Sequence, residues 1–206
     1  MPKIDLRRQL KNLYTASAKR AALVDVPRLK FLMVDGAGHP EGNPLFQQAM
    51  EALFGVAYTL KFSSKLGAAK LDWTMMPPEG VWWMEGSRPF DCADKAAWRW
   101  TLMIAQPDAV TAAMVRAAKK TLKEKKNPAL VDDVRLEALR EGPAVQILHI
   151  GPYDAEQPAV DKLLAFAAEN GYTISGRHRE IYFSDPRRTK PEKLKTIIRC
   201  PVKKAG

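Results

Sequence analysis

Three polar side chains in the segment HREIYFSDP, those of His178, Glu180 and Tyr182, fall on alternate positions. In an extended strand alternate residues share a face. An imidazole, a carboxylate and a phenol therefore point one way, while Ile181 and Phe183 point the other, towards the helices that cover such a strand. A carboxylate in this row, backed by apolar residues, is suited to line a groove. In dry surroundings its pKa rises, and it then works as a general acid or base or as the counter-charge of an apolar cation. The competing reading is a solvated strand with polar residues by chance. His149, in VQILHIGPY, shares a face with Val145 and Ile147 and is either a hydrogen-bonded core residue or a proton-transfer group. Tyr153 follows the Gly151-Pro152 turn just before a helix start, where it either projects into a cleft or packs on the helix.

A second signal is aromatic. Trp73, Trp82, Trp83, Trp98 and Trp100 all fall in the first half of the chain. Such a group makes either a core or a box around a flat or cationic ligand. Trp82 and Trp83 lie in a stretch from Glu79 to Asp94 that reads as a loop, and loops tend to carry function. With Glu79 in the same stretch, the composition suits a hydrophobic, planar or cationic small molecule. An aromatic face would contribute about 0.5–2 kcal/mol to binding a cation.

Other chemistries lack their motifs. His149, His178 and Glu180 do not have HExxH or comparable spacing, so no metal site is expected. The chain has no GxSxG or SxxK serine motif, and no GxGxxG or P-loop lysine, so neither a nucleotide nor another cofactor is expected. The two cysteines, Cys92 and Cys200, form no CxxC pair and read as buried free thiols. The formal net charge is +10, but its runs (119–126, 187–195 and the Lys203-Lys204 tail) read as solvated faces. No nucleic-acid-binding signature accompanies them, which argues against direct DNA binding. There is no run of about 18 apolar residues and no apolar signal core behind the charged N-terminus, so a cytoplasmic protein without a membrane span is expected.

The elements that must hold these groups are α and β in alternation. Residues 1–20 read as a short polar helix. ALVDVPRLKFLMVDG (22–36) reads as two strands broken at Pro27. Asn43-Pro44 starts a helix whose buried face is Phe46, Ala49, Met50, Leu53, Ala57 and Leu60. LDWTMMPP (71–78) reads as a short strand and WRWTLMIAQP as another. A helix is expected over about 108–126 with Val110, Met114, Ala117 and Thr121 aligned. The stretch 134–153 reads as a hairpin turning at Glu141-Gly142. A helix opens at Pro158, and strands follow at 178–186 and 194–202. The order strand, helix, strand, strand thus occurs twice. It predicts an α+β fold of two pseudo-symmetric modules with antiparallel sheet. The domain reading is a single domain over 1–206, with half-modules at 22–107 and 134–206, a connecting helix at 108–133, and a ligand groove between the halves.

The segments FLMVDGAGHPEGNPLFQQAMEALFGVAYTLKF, MPPEGVWW, WRWTLMIAQPDAV, EGPAVQILHIGPYDAEQP and HREIYFSDPRRTKPEKLKTIIRCPV closely resemble GyrI-like small-molecule-binding proteins, the stand-alone branch above all, from about Asp5 to Val202. The resemblance implies two pseudo-symmetric modules around a ligand groove. In multidrug-sensing relatives a central glutamate binds lipophilic cations, and its counterpart here is Glu180, with Tyr182. Some stand-alone members hydrolyse cyclopropane-bearing alkylating compounds in an aromatic cage. On that resemblance Trp82, Trp83, Trp98, Trp100, Tyr153 and Tyr182 are cage candidates, His178 and Glu79 further ligand-binding candidates, and Glu180, Tyr153 and His149 the catalytic candidates. Arg179 departs from the second histidine expected after His178. Fewer than 25 residues precede the first module, which argues against a fused DNA-binding domain. Three functions remain open: hydrolysis of strained electrophiles, ligand sequestration or sensing without turnover, and restraint of a partner enzyme, as the gyrase inhibitor that names the family does.

Overall fold

The structure, a computed structural model, describes residues 3–68, 70–87 and 94–206. Cys92 and part of the stretch expected as a loop from Glu79 to Asp94 lie outside the described residues. The fold is α+β with antiparallel sheet, as the alternation of elements predicts. Two compact units are present. One comprises the segment ending at Gln9 with Leu29–Met76 and Trp82–Leu139. The other comprises Leu10–Arg28, Pro77–Val81 and Arg140–Gly206.

In the first unit the outer part of strand β1 (Ala22–Ala37) pairs with β3 (Trp98–Gln106), from Lys30 opposite Gln106 to Ala37 opposite Arg99. Helix α2 (Pro44–Leu66) packs on β3 and on α3 (Ala112–Lys125). Its start is as read: the Asn43 side chain accepts from Leu45 N at 3.0 Å, and proline, which has no N–H to lose, takes the first turn. Ala49, Leu53, Ala57 and Leu60 of the expected face are buried, joined by Ala52 and Val56. Helix α3 is capped by Thr111, which accepts from Met114 N at 3.3 Å. It buries Val115, Ala118 and Leu122 rather than the 114/117/121 line, because Leu122 seats against Gly55 of α2. The N-terminal helix is shorter than expected, only α1 (Leu6–Gln9).

Gly36, opposite Trp100 in the β1–β3 ladder, lets the indole lie flat on the backbone. A Cβ there would stand 2.0 Å from Trp100 Cη2. Trp100 is fully buried and donates from Nε1 to Gly38 O at 3.1 Å, so it has no room to retreat. Gly36→Ala is accordingly expected to lower unfolding stability by about 1–3 kcal/mol through overpacking. Urea denaturation of the single variant and of Gly36→Ala with Trp100→Phe checks this. Recovery in the double variant assigns the cost to the ring, and an unchanged midpoint in the single variant refutes it.

In the second unit β7 (Lys195–Lys204) is the central strand. It pairs with the last part of β4 (Arg135–Ile150), with β6 (His178–Tyr182) and with the short β5 (Tyr172–Ile174), which the sequence reading missed. Helix α4 (Gln157–Glu169) covers one face: Leu163 and Ala167 pack with Val145, Ile147, Ile198, Cys200 and Val202.

Three expected breaks are absent. β1 runs through Pro27, since an extended residue already has proline's φ and loses only one donor. β4 runs through Glu141-Gly142, where Gly142 at φ +75° kinks the strand without reversing it. The segment 71–78 contributes only a parallel bridge between Ile4 and Trp73, and the strand lies later, as β2 (Pro78–Met84). Trp82, Trp83 and Glu79 therefore stand on a strand, not a loop.

Candidate functional site

The register of the second unit decides which way the late strand faces. Glu180 lies opposite Ile198 and Tyr182 opposite Thr196, while Ile147 and His149 flank the same two β7 residues from β4. Ile147 and Ile198 belong to the cluster under α4. The face carrying His178, Glu180 and Tyr182 is thus the helix-covered one, the reverse of the expectation that Ile181 and Phe183 face the helices. The three groups meet the start of α4, where the chain enters through a 3-10 turn at Tyr153–Ala155 and Glu156 occupies the N-cap.

His178 Nε2 is 3.1 Å from Glu180 Oε1 and 3.7 Å from Glu156 Oε1. The Cys200 side chain lies close to the imidazole. Tyr153 and Tyr182 stand beside this group, edge to face with centroids 5.8 Å apart. The electrostatics follow from crowding two carboxylates into a largely enclosed space. Burial first, and then the Glu180 charge, push the Glu156 carboxyl up to about 8. Burial opposes charge on His178, but the Cys200 side chain, the bond to Glu180 and the Glu180 charge hold its pKa well above the ordinary value. Burial and Glu180 likewise raise the Tyr153 phenol.

A group whose folded pKa exceeds its unfolded one holds an extra proton when folded, so its stabilisation is complete at low pH and fades as pH rises through the folded value. Glu156 and His178 act in the same direction. The groups facing Glu156 are Glu180 and His178 from β6. In chelator-containing buffer, thermal stability is expected to fall between pH 4.5 and about 8, and Glu156→Gln is expected to flatten that slope. Melting curves across the range check it, and equal slopes in both proteins contradict it.

The other candidates are placed as follows. His149 is buried, and its Nε2 pairs with Pro152 O at 2.9 Å, bracing the turn that presents Tyr153. Glu79 is fully enclosed on the opposite face of the second unit's sheet. There it accepts from Tyr14 Oη at 2.7 Å and from Arg179 Nη1 at 3.3 Å. Arg179 also lies 3.1 Å from Glu141 Oε2. Arg199, opposite Arg179, donates to Gln146 Oε1 through Nε at 3.1 Å and Nη2 at 2.9 Å, and to Leu13 O. Two arginines and two glutamates thus balance in the interior. Burial still raises the Glu79 pKa and lowers that of Arg199.

In the first unit Trp82, Trp98 and Trp100 do come together, around Phe46. Trp82 is 5.9 Å from Trp98, and Phe46 is 6.2 Å from Trp82 and 5.2 Å from Trp100. His39 packs on Trp98 at 4.8 Å. Trp98 is partly exposed, whereas Trp100 is buried. Trp83, adjacent to Trp82 in β2, faces the opposite way.

Glu156 was missed by the sequence reading. An acidic residue at a helix start is commonly a dipole partner, and only the packing of the start of α4 beside His178 and Glu180 shows the cluster that it joins. Among the described residues, no helix is long and apolar enough to cross a membrane.

Comparison with known proteins agrees with this architecture. A crystal structure of an uncharacterised conserved protein from Listeria innocua is similar at 38% identity, covering 98% of this chain and all of that one, with a TM-score of 0.90. A hydrolase from Listeria innocua is 35% identical over 98% of this chain and all of its own, with a TM-score of 0.87. The C-terminal domain of EcmrR shares the fold at 16% identity, covering 90% of this chain and 98% of its own, with a TM-score of 0.55. No curated protein matches the chain. The family model described as a GyrI-like small molecule binding domain matches residues 22–203. With nearly the whole chain matched, this protein belongs to the GyrI-like family of small-molecule-binding domains.

Proposed function

We propose that this GyrI-like domain binds hydrophobic, planar or cationic small molecules and hydrolyses strained electrophiles among them, cyclopropyl-bearing compounds in particular. The observation that carries the reading is the pair of carboxylates, Glu180 and Glu156, gathered on one histidine beside Tyr153 and Tyr182. The hydrolase from Listeria innocua, similar over its whole length, supports the same direction.

In a spirocyclopropyl-dienone the step is balanced without a cofactor. Glu180 takes a proton from water, and the water oxygen bonds to the ring CH2. The strained C–C bond breaks, and its electron pair passes to the dienone oxygen as a phenolate. Glu156, whose second oxygen has no donor among the described residues, supplies the proton that the phenolate takes up. His178 keeps Glu180 oriented, and the tyrosines supply apolar faces. Within the first unit, taken by itself, Trp82, Trp98 and Phe46 are proposed as contacts for a planar or cationic ligand, with Trp100 behind them.

Incubation of the protein with such a dienone, followed by mass spectrometry, tests the reading. A product heavier by one water supports hydrolysis. Intact compound with quenched tryptophan fluorescence supports a sequestering or sensing module and removes the hydrolase. Neither outcome, with a cellular enzyme co-purifying instead, favours the partner-binding alternative.

A further inference from the structure

His178 Nε2 carries at most one proton, yet two carboxylates converge on it. Glu180 Oε1 takes the hydrogen-bonding position at 3.1 Å, which leaves Glu156 Oε1 at 3.7 Å, too far for a hydrogen bond. Glu156 Oε2 is enclosed and has no hydrogen-bond partner among the described residues. Hydrogen bonding thus satisfies one carboxylate and strands the other. One ligand atom from each of Glu156, His178 and Glu180 lies within 4.8 Å of the other two.

Around an ion with bonds of about 2.0–2.2 Å, ligand atoms stand roughly 3–3.5 Å apart. The separation of His178 Nε2 from Glu180 Oε1 is of that size, and Glu156 Oε1, at 3.7 Å, has to move in by a few tenths of an ångström to join them.

We propose that Glu156, His178 and Glu180 form a binding site for one first-row divalent metal ion, with Zn2+ the best match to one imidazole nitrogen and two carboxylate oxygens. The ion replaces the Nε2 proton, which is released on binding. It gives the stranded Glu156 oxygen a partner. Three protein ligands leave a position open for water or a bound molecule. The set differs from the combination of His149, His178 and Glu180 considered from sequence, because His149 is engaged at Pro152. The proposal does not depend on the hydrolase reading: the ion binds whether or not an electrophile is turned over, and turnover is measurable in chelator-treated protein.

Calorimetric titration of chelator-treated protein with Zn2+, paired with Co2+ absorption spectra, tests the site. One ion per chain is expected, with Co2+ ligand-field bands and no thiolate charge-transfer band. Affinity is expected to fall roughly 100-fold in Glu156→Gln and in His178→Gln. Both substitutions keep side-chain size, and circular dichroism verifies folding. Absence of binding to the wild-type protein overturns the proposal, and that arm needs no variant. Unchanged affinity in Glu156→Gln, or a thiolate band placing the ion on cysteine, overturns it as well.

Discussion

Glu180→Gln is expected to slow ring opening of a spirocyclopropyl-dienone by about 10²–10⁴-fold, the range of a lost general base, while binding stays within a few fold of wild type. The amide has the carboxylate's shape, and its oxygen still accepts from His178 where Oε1 now stands at 3.1 Å. What disappears is the capacity to take a proton from water. Product mass against time gives the rate, and quenching of tryptophan fluorescence gives the affinity. Equal rates in the two proteins would remove Glu180 as the base. Loss of binding with an unchanged maximal rate would make it a ligand-holding group instead. Repeating the rate profile over pH separates the base from a merely positioning carboxylate, because only the former moves the ionisation that governs the rate.

The second large effect concerns stability. Arg199→Leu is expected to cost about 3–5 kcal/mol of unfolding free energy, the penalty for breaking a buried ionic network on one side. The substitution leaves Gln146 Oε1 and Leu13 O without their arginine donor and weakens the compensation of Glu141, all in the interior. Leucine fills only the part of the volume nearest the backbone, so the lost hydrogen bonds and charge balance are joined by a smaller cavity contribution. Arg187→Leu is the natural control: Arg187 pairs with Asp185 in solvent, and its removal should leave the midpoint near wild type. Chemical denaturation followed by circular dichroism reads both. A wild-type midpoint in Arg199→Leu would mean that the network is dispensable.

The sequence made much of this architecture legible where a single local signal decided the outcome. Helix α2 followed from Asn43-Pro44 and a regular apolar face, and the fold class from the alternation of elements. Reading failed where a residue has two possible meanings. Pro27 and Gly142 are common at turns, yet one fits an extended backbone and the other kinks it, and only long-range pairing selects between these uses. The same ambiguity put β2 in a loop, because Pro77 and Pro78 at its start suggested an end rather than a beginning. For the site, the alternation of His178, Glu180 and Tyr182 was readable, but their direction was not. Alternation gives two faces, and the β6–β7 register determines which one α4 covers. Glu79 was misleading for a related reason. A glutamate among tryptophans suggests a ligand, but its partners Tyr14 and Arg179 lie 65 and 100 positions away, beyond the reach of any local pattern.

Those distant partners bear on the order in which the protein is made. The second unit draws Leu10–Arg28 from early in the chain and Arg140–Gly206 from late, and the bond from Arg199 to Leu13 spans 186 positions. On the ribosome Tyr14 and Glu79 emerge long before Arg179 and Arg199, and must remain hydrated until the last strand appears. The segments of the first unit are all available by Leu139. Loop-closure entropy for the second unit is therefore paid late, and pairing at such separation is slow. The half of the molecule that holds the paired carboxylates is the half that a nascent chain completes last.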